Sequence, residues 1–195
     1  MMSDKKGAMA HPKARRAPPP LSQSALHELA LHYVGKYATT RAKLRTYLAR
    51  KIRERGWDGG PAPDLEALAD RFAELGYIDD ASYAVAKSRA LTARGYGKRR
   101  LAENLRQAGV SEEDGRAAFD AADAGQVYAA LRFARRRRLG PFASAPAERA
   151  EREKWIAAMV RAGHAFGLAR TIANIAPGSA IDPTDLLESS RSDAG

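Results

Sequence analysis

The sequence predicts an all-α protein made of three tandem three-helix units forming an elongated helical array, and three observations carry that expectation. Apolar residues recur at three- and four-residue spacings along most of the chain, without a convincing run of alternating β-branched residues. Glycines punctuate the pattern where helices should turn: Gly56, Gly59-Gly60, Gly76, Gly95, Gly97, Gly109, Gly140 and Gly163. A motif also repeats three times: an apolar residue, a second one four positions on (Leu48, Leu105, Met159), then a closing glycine. Those glycines, Gly56, Gly109 and Gly163, lie 53 and 54 residues apart.

The elements follow in order. Residues 1–23 carry Lys5, Lys6, Lys13, Arg15 and Arg16 against Asp4, then Pro18-Pro19-Pro20, and are expected to be a disordered basic tail. The first unit spans 24–76. Its first helix, about 24–37, is marked by Leu26, Leu29, Ala30, Tyr33, Val34 and Tyr37. A second helix enters after Thr39-Thr40, and a third, about 64–75, is marked by Leu65, Leu68, Ala69, Phe72 and Leu75. The gap of eight residues from Leu48 to Gly56, against four in the other copies, predicts a second helix about one turn longer. The second unit, 77–125, starts at Asp79-Asp80 with a helix to about 93 and has its third helix at about 111–122. There Ser111 caps the acidic first turn Glu112-Glu113-Asp114. The third unit, 126–178, has helices at about 126–138 and 164–175 around the Trp155–His164 segment. Residues 179–195, with Asp182, Asp185, Glu188 and Asp193 against Arg191, are expected to be a disordered acidic tail. Helices this short are marginal alone, so each unit must pack on itself and on its neighbours.

Composition narrows the function. The 195 residues hold 33 Lys plus Arg against 23 Asp plus Glu, a net charge of +10, of which +9 falls on residues 24–178. Such an excess attracts polyanions, nucleic acid first among them. With no cysteine, disulfides, thiol catalysis and thiolate zinc are excluded. No stretch approaches the roughly 18 apolar residues of a membrane span, and Met1–Pro20 lacks the apolar middle of a secretion signal, so a cytoplasmic location is expected.

Four features invite chemistry. Gly95-Tyr96-Gly97-Lys98 is not a phosphate loop, because Thr92 stands where the first glycine belongs and Arg99 where Ser or Thr belongs; a helix-to-helix turn is expected. Asp79 and Asp80 lack a second acidic or histidine partner at metal spacing and are expected to cap a helix. His27 and His32, five apart, fall on different helix faces, unlike a zinc pair. Neither a catalytic residue nor a metal or other cofactor is expected. The basic residues say more. Arg94, Lys98, Arg99, Arg100 and Arg106 bracket the turn and second helix of the middle unit; Arg132 and Arg135-Arg136-Arg137-Arg138 crowd the first helix of the third. Four successive helical arginines span every azimuth, so one should point towards the core unless its stem snorkels. These ten residues are the expected contact with a polyanion, nucleic acid first among them.

From Leu75 to Val110 the chain reads LGYIDDASYAVAKSRALTARGYGKRRLAENLRQAGV, and over these 36 residues it resembles the RecX family. That family has an LGYLDD entry, an aromatic three or four residues on, a basic GYG turn and an L-x-x-x-G helix end. Here these are Leu75–Asp80, Tyr83, Gly95-Tyr96-Gly97 and Leu105–Gly109. Lys98 stands where the family commonly has proline, and Ala38-Thr39-Thr40 where it has an EHS cap. The resemblance implies a non-enzymatic modulator, mainly an inhibitor, of the RecA recombinase. It would lie along the RecA–single-stranded DNA filament as a monomer, without a membrane partner. The alternative is a free nucleic-acid-binding protein without RecA specificity.

Overall fold

The computed structural model describes residues 19–192, with side chains as far as Leu187. Residues 1–18, most of the expected basic tail, lie outside the described residues. Ten α-helices follow in order: α1 Gln23–Lys36, α2 Arg41–Arg55, α3 Leu65–Glu74, α4 Asp80–Ala93, α5 Lys98–Gln107, α6 Glu112–Ala124, α7 Gln126–Arg137, α8 Arg149–Arg161, α9 Phe166–Asn174 and α10 Pro183–Ser192. A 3-10 turn, Gly140–Phe142, follows α7. Among the described residues the only extended pairing is one parallel bridge, Leu21 to Trp57.

Side-chain caps fix most helix starts. Ser22, Thr40, Asp64, Asp79 and Ser111 each accept from a backbone N–H in the first turn, at 2.8–3.3 Å. At Asp79 the bonds from Ser82 hold the carboxyl below its ordinary range. α2 runs 15 residues against 10 in α5, as the longer gap to Gly56 predicts.

Three apolar clusters form beneath these helices. The first holds Leu21, Leu26, Leu44, Leu48, Leu68, Phe72 and Ile78. The second is built from smaller residues, with Ala84, Ala118 and Ala122 around Leu91, Leu101 and Leu105. The third joins Val127, Phe133, Met159, Leu168 and Ile172. Ile78 packs into the first cluster, so that core reaches past the division expected at residue 76.

Two expectations about the ends need correction. Leu21 is fully buried, donates to the Gly56 carbonyl at 3.0 Å and accepts from Asp58 N–H at 3.1 Å. A residue so placed belongs to the fold, not to a tail. Residues 183–192 form α10, whose Leu186 is buried in the third cluster. Proline at its first position costs no hydrogen bond there, and the Leu186-Leu187 pair gives the helix an apolar face to bury. Tyr37, expected on the core face of α1, is 48% exposed because α1 ends at Lys36 and Tyr37 is extended (φ −130°).

The units join end to end through their second helices. The C-terminal end of α5 meets the N-terminal end of α2: Thr40 Oγ1 donates to the Ala108 carbonyl at 2.5 Å, and a Cβ on Gly109 would lie 2.3 Å from that of Ala42. The Arg41 guanidinium beside it reaches Asp80 at 3.2 Å, Asp114 at 3.0 Å and Asp70 at 3.7 Å. The second junction repeats this with α8 meeting α5. Gly97 N–H donates to the Ala162 carbonyl at 3.0 Å and Arg99 N–H to the Gly163 carbonyl at 3.1 Å. In both, unsatisfied carbonyls of one helix end meet the donor end of the next.

Candidate nucleic-acid interface

All ten basic residues singled out in the sequence have exposed side chains. They divide into three settings. Lys98 lies 2.6 Å from Asp123, and Arg106 lies 3.4 Å from Glu103. Arg99 and Arg106 line one shallow groove, in which Glu103 and Glu112 also stand. Arg100 is exposed at the second junction, its backbone against Gly163.

Arg94, Arg132 and Arg136 come together at the end of α4. Arg132 Nη1 donates to the Ala93 carbonyl at 3.1 Å and Arg136 Nη1 to the Arg94 carbonyl at 2.5 Å. Both cations sit at the negative end of a helix, where they are stabilising. The Arg94 and Arg136 guanidinium groups lie 5.4 and 5.8 Å from the Tyr96 ring centre. These arginines join the second and third units as well as presenting charge.

The third setting is a cleft of about 630 Å³ beside the C-terminal end of α7. It is lined by Arg136, Arg137, Arg138, Lys154, Trp155 and Arg161, without a carboxylate. Among the described residues none of Arg135–Arg138 pairs with an acid at ion-pair distance. All four are exposed, and Arg136 lies 5.7 Å from the ring centre of core Phe133, so the exception allowed for a snorkelling stem is the one met. α7 ends at Arg137 and Arg138 turns left-handed (φ 54°), so Leu139 is the residue that enters the core. Arg135 instead lies over the Phe142 ring at 4.9 Å. Lys154, Trp155 and Arg161 escaped the sequence reading, because their approach to the arginine run needs the α7–α8 packing.

Charge is distributed unevenly. Residues 77–125 hold eight Lys or Arg and eight Asp or Glu, whereas residues 126–178 hold ten against three. The recognisable motif and the positive field lie in different units.

The motif residues have structural duties. Gly95 (φ 77°) and Gly97 make the second junction: a Cβ on Gly97 would lie 2.3 Å from the Gly163 carbonyl oxygen. His164, 2% exposed, bonds the Gly95 carbonyl through Nε2 at 3.1 Å. Burial pushes its pKa below the ordinary 6.5, against the opposing pull of that bond. Asp79 caps α4 as expected, but Asp80 is buried under Arg41 and serves the first junction. The hydrogen bond from Arg41 to Asp80 raises the arginine pKa further. No group of three or more metal-ligand residues forms among the described residues, and no helix there is long and apolar enough to cross a membrane.

Comparison with known proteins agrees with this architecture. The family model described as RecX, second three-helix domain, matches residues 79–118. The Regulatory protein RecX of Myxococcus xanthus is 35% identical over 172 residues, covering 83% of this chain and 91% of that protein. That of Thermobifida fusca is 36% identical over 144 residues, covering 72% of each. The crystal structure of RecX from Lactobacillus salivarius shares the fold at a TM-score of 0.60 and 20% identity, over 76% of this chain and 92% of that one. Three-helix units joined by a glycine-rich turn, with likeness to two regulators over 83% and 72% of the chain, lead to one conclusion: the chain belongs to the RecX family of regulatory proteins.

Proposed function

We propose that this chain modulates, and mainly inhibits, the RecA recombinase by binding the RecA–single-stranded DNA filament, and so regulates DNA repair and recombination. The observation that carries the reading is the carboxylate-free cleft of Arg136, Arg137, Arg138, Lys154 and Arg161 on an exposed face of the third unit. Cations without acidic neighbours keep their full attraction for phosphate, and each phosphate neutralised releases counterions. Arg135, exposed over the Phe142 ring, is the next cation of the same run. Arg99, Arg100 and Arg106 of the second unit add weaker charge, since Glu103 and Glu112 stand among them. Family membership supports a regulatory role, and the basic cleft supports a nucleic-acid component in the target. The chain acts as a monomer in this reading and performs no catalysis.

The test is RecA's DNA-dependent ATP hydrolysis, measured with the wild-type chain and with Arg135, Arg136 and Arg138 replaced by Ala. The triple variant should lose both inhibition and single-stranded DNA affinity, with the salt dependence of log affinity shallower by somewhat less than one per lost phosphate contact. Inhibition at full strength with weakened DNA binding would place the RecA contact elsewhere. A wild-type chain that binds DNA but leaves RecA unaffected would favour the free nucleic-acid-binding alternative, which the same cleft supports.

A further inference from the structure

A second basic groove, of about 620 Å³, runs between α1, α2 and the C-terminal end of α5. Its chemistry differs from that of the third-unit cleft. Three tyrosines, Tyr33, Tyr37 and Tyr47, line it together with Lys43, Arg50 and Arg106, and no acidic side chain does. The rings form a ladder: Tyr47 and Tyr33 stack at 4.2 Å with planes 15° apart, and Tyr37 follows at 5.3 Å, tilted by 51°. Tyr37 is the outermost rung and 48% exposed, with Lys36 Nζ 5.4 Å from its ring centre.

The cations are placed around this ladder. Arg50 lies 5.5 Å from the Tyr47 ring centre, and Lys43, which lines the groove, donates to the hydroxyl of Tyr83 outside it. Arg106, 76% exposed, stands on the opposite wall. Arg50 and Arg106 pair with Glu54 and Glu103, but surface pairs of this kind are worth little and yield readily to a phosphate. A groove of this volume is within the range of small-ligand sites, and π-faces beside cations are the chemistry by which sequence-tolerant proteins hold single strands.

We propose that this groove seats a base of a single-stranded nucleic acid on Tyr37, with Lys43, Arg50 and Arg106 on the flanking phosphates. Double-stranded nucleic acid keeps its bases stacked internally and offers Tyr37 nothing. An acidic polypeptide would use the cations but leave the ring ladder without a purpose. The site is separate from the third-unit cleft and does not depend on the RecA reading.

Binding of the full chain to a labelled oligothymidylate, and to an abasic strand of equal length, tests this. The two strands carry the same phosphates and differ only in bases. Wild type should bind oligothymidylate more tightly than the abasic strand. Tyr37→Ala should weaken oligothymidylate binding on the order of ten-fold while leaving the abasic strand unchanged, and Tyr37→Phe, which keeps a stacking face, should retain wild-type affinity. An unchanged helical melting profile for Tyr37→Ala confirms that the fold is intact. Equal loss on both strands, no loss on either, or displacement of oligothymidylate by polyglutamate as effectively as by unlabelled strand would overturn the proposal. The triple arginine variant of the third unit should weaken both strands while preserving their ratio, which separates failure here from failure of the RecA reading.

Discussion

The two junctions between units solve one problem with different materials. Each sets the carbonyl end of one second helix against the donor end of another. At the first, the donors are side chains: the Thr40 hydroxyl and an arginine spread over three carboxylates. At the second they are backbone N–H groups of Gly97 and Arg99, and the chains approach so closely that only glycine fits. The side-chain junction depends on charge pairing, and it too is tight at one glycine, Gly109 against Ala42. The backbone junction is intolerant of a single added carbon at Gly97 or Gly163. The most recognisable letters of the sequence, Gly95-Tyr96-Gly97, mark the second kind.

The largest effect should come from Gly163→Ala. Its φ of 97° disfavours any side chain, and a Cβ there would lie 2.4 Å from the Arg100 backbone nitrogen. A loss of about 3 kcal/mol or more in urea denaturation is expected. The same variant should detach the third unit from the second, seen as faster amide exchange at Gly97 and Arg99. A loss under about 1 kcal/mol would show that the seam can open cheaply, and the contrast between junctions would fall.

Arg41→Ala should come next, at about 2–3 kcal/mol. Asp80, 3% exposed, would keep only the bond from the Arg41 backbone N–H at 3.0 Å and lose its counter-charge. Adding Asp80→Asn should recover part of that loss, because a neutral amide tolerates burial where an unpaired carboxylate does not. Without such recovery, the junction is held by Thr40 and packing instead of by charge.

The smallest effect is a pH slope confined to the second junction. The folded-state pKa of His164 lies below its unfolded value of 6.5. The neutral ring is therefore the folded form, and its contribution is complete above 6.5. As pH falls below 6.5 the unfolded chain takes up a proton that the folded chain refuses, so stability falls until the folded pKa is passed. Chemical denaturation between pH 7 and 5 should show this slope in wild type and a shallower one in His164→Gln, which can still donate to the Gly95 carbonyl. Equal slopes would assign the acid sensitivity to other groups.

Much of this architecture was legible because it is local. Ser111 with its acidic turn and Asp79 before α4 announce helix starts by chemistry that acts within four residues. The repeat of Gly56, Gly109 and Gly163 announces helix ends, each with positive φ. What escaped depends on partners far along the chain. Nothing near Gly97 says that Gly163 will meet it. Asp80 reads like its neighbour Asp79, yet one is a cap and the other the buried partner of an arginine 39 residues away. α10 was missed although Pro183 is a fair start signal, since its buried Leu186 sits among acids and serines. Half of the candidate site was visible as an arginine run. Its other half, Lys154, Trp155 and Arg161, comes from α8 and is scattered in sequence.

The hydrogen bond from Leu21 to Gly56 has a consequence for how such arrays can lengthen. At both junctions a second helix offers its carbonyl end to the unit before it, so the array has a direction, and its outer carbonyl end is that of α2. That end is already closed: Leu21 N–H binds the Gly56 carbonyl, and Arg55 holds the Pro19 carbonyl at 2.9 Å. α8, at the other end, has Glu148 at its N-cap position without a side-chain cap bond. A duplicated unit could therefore be added after the third by reusing the existing junction, but one added before the first would have to displace the segment that seals it. Growth of this architecture by duplication is one-sided, and the sealing segment is the element any N-terminal extension would first have to replace.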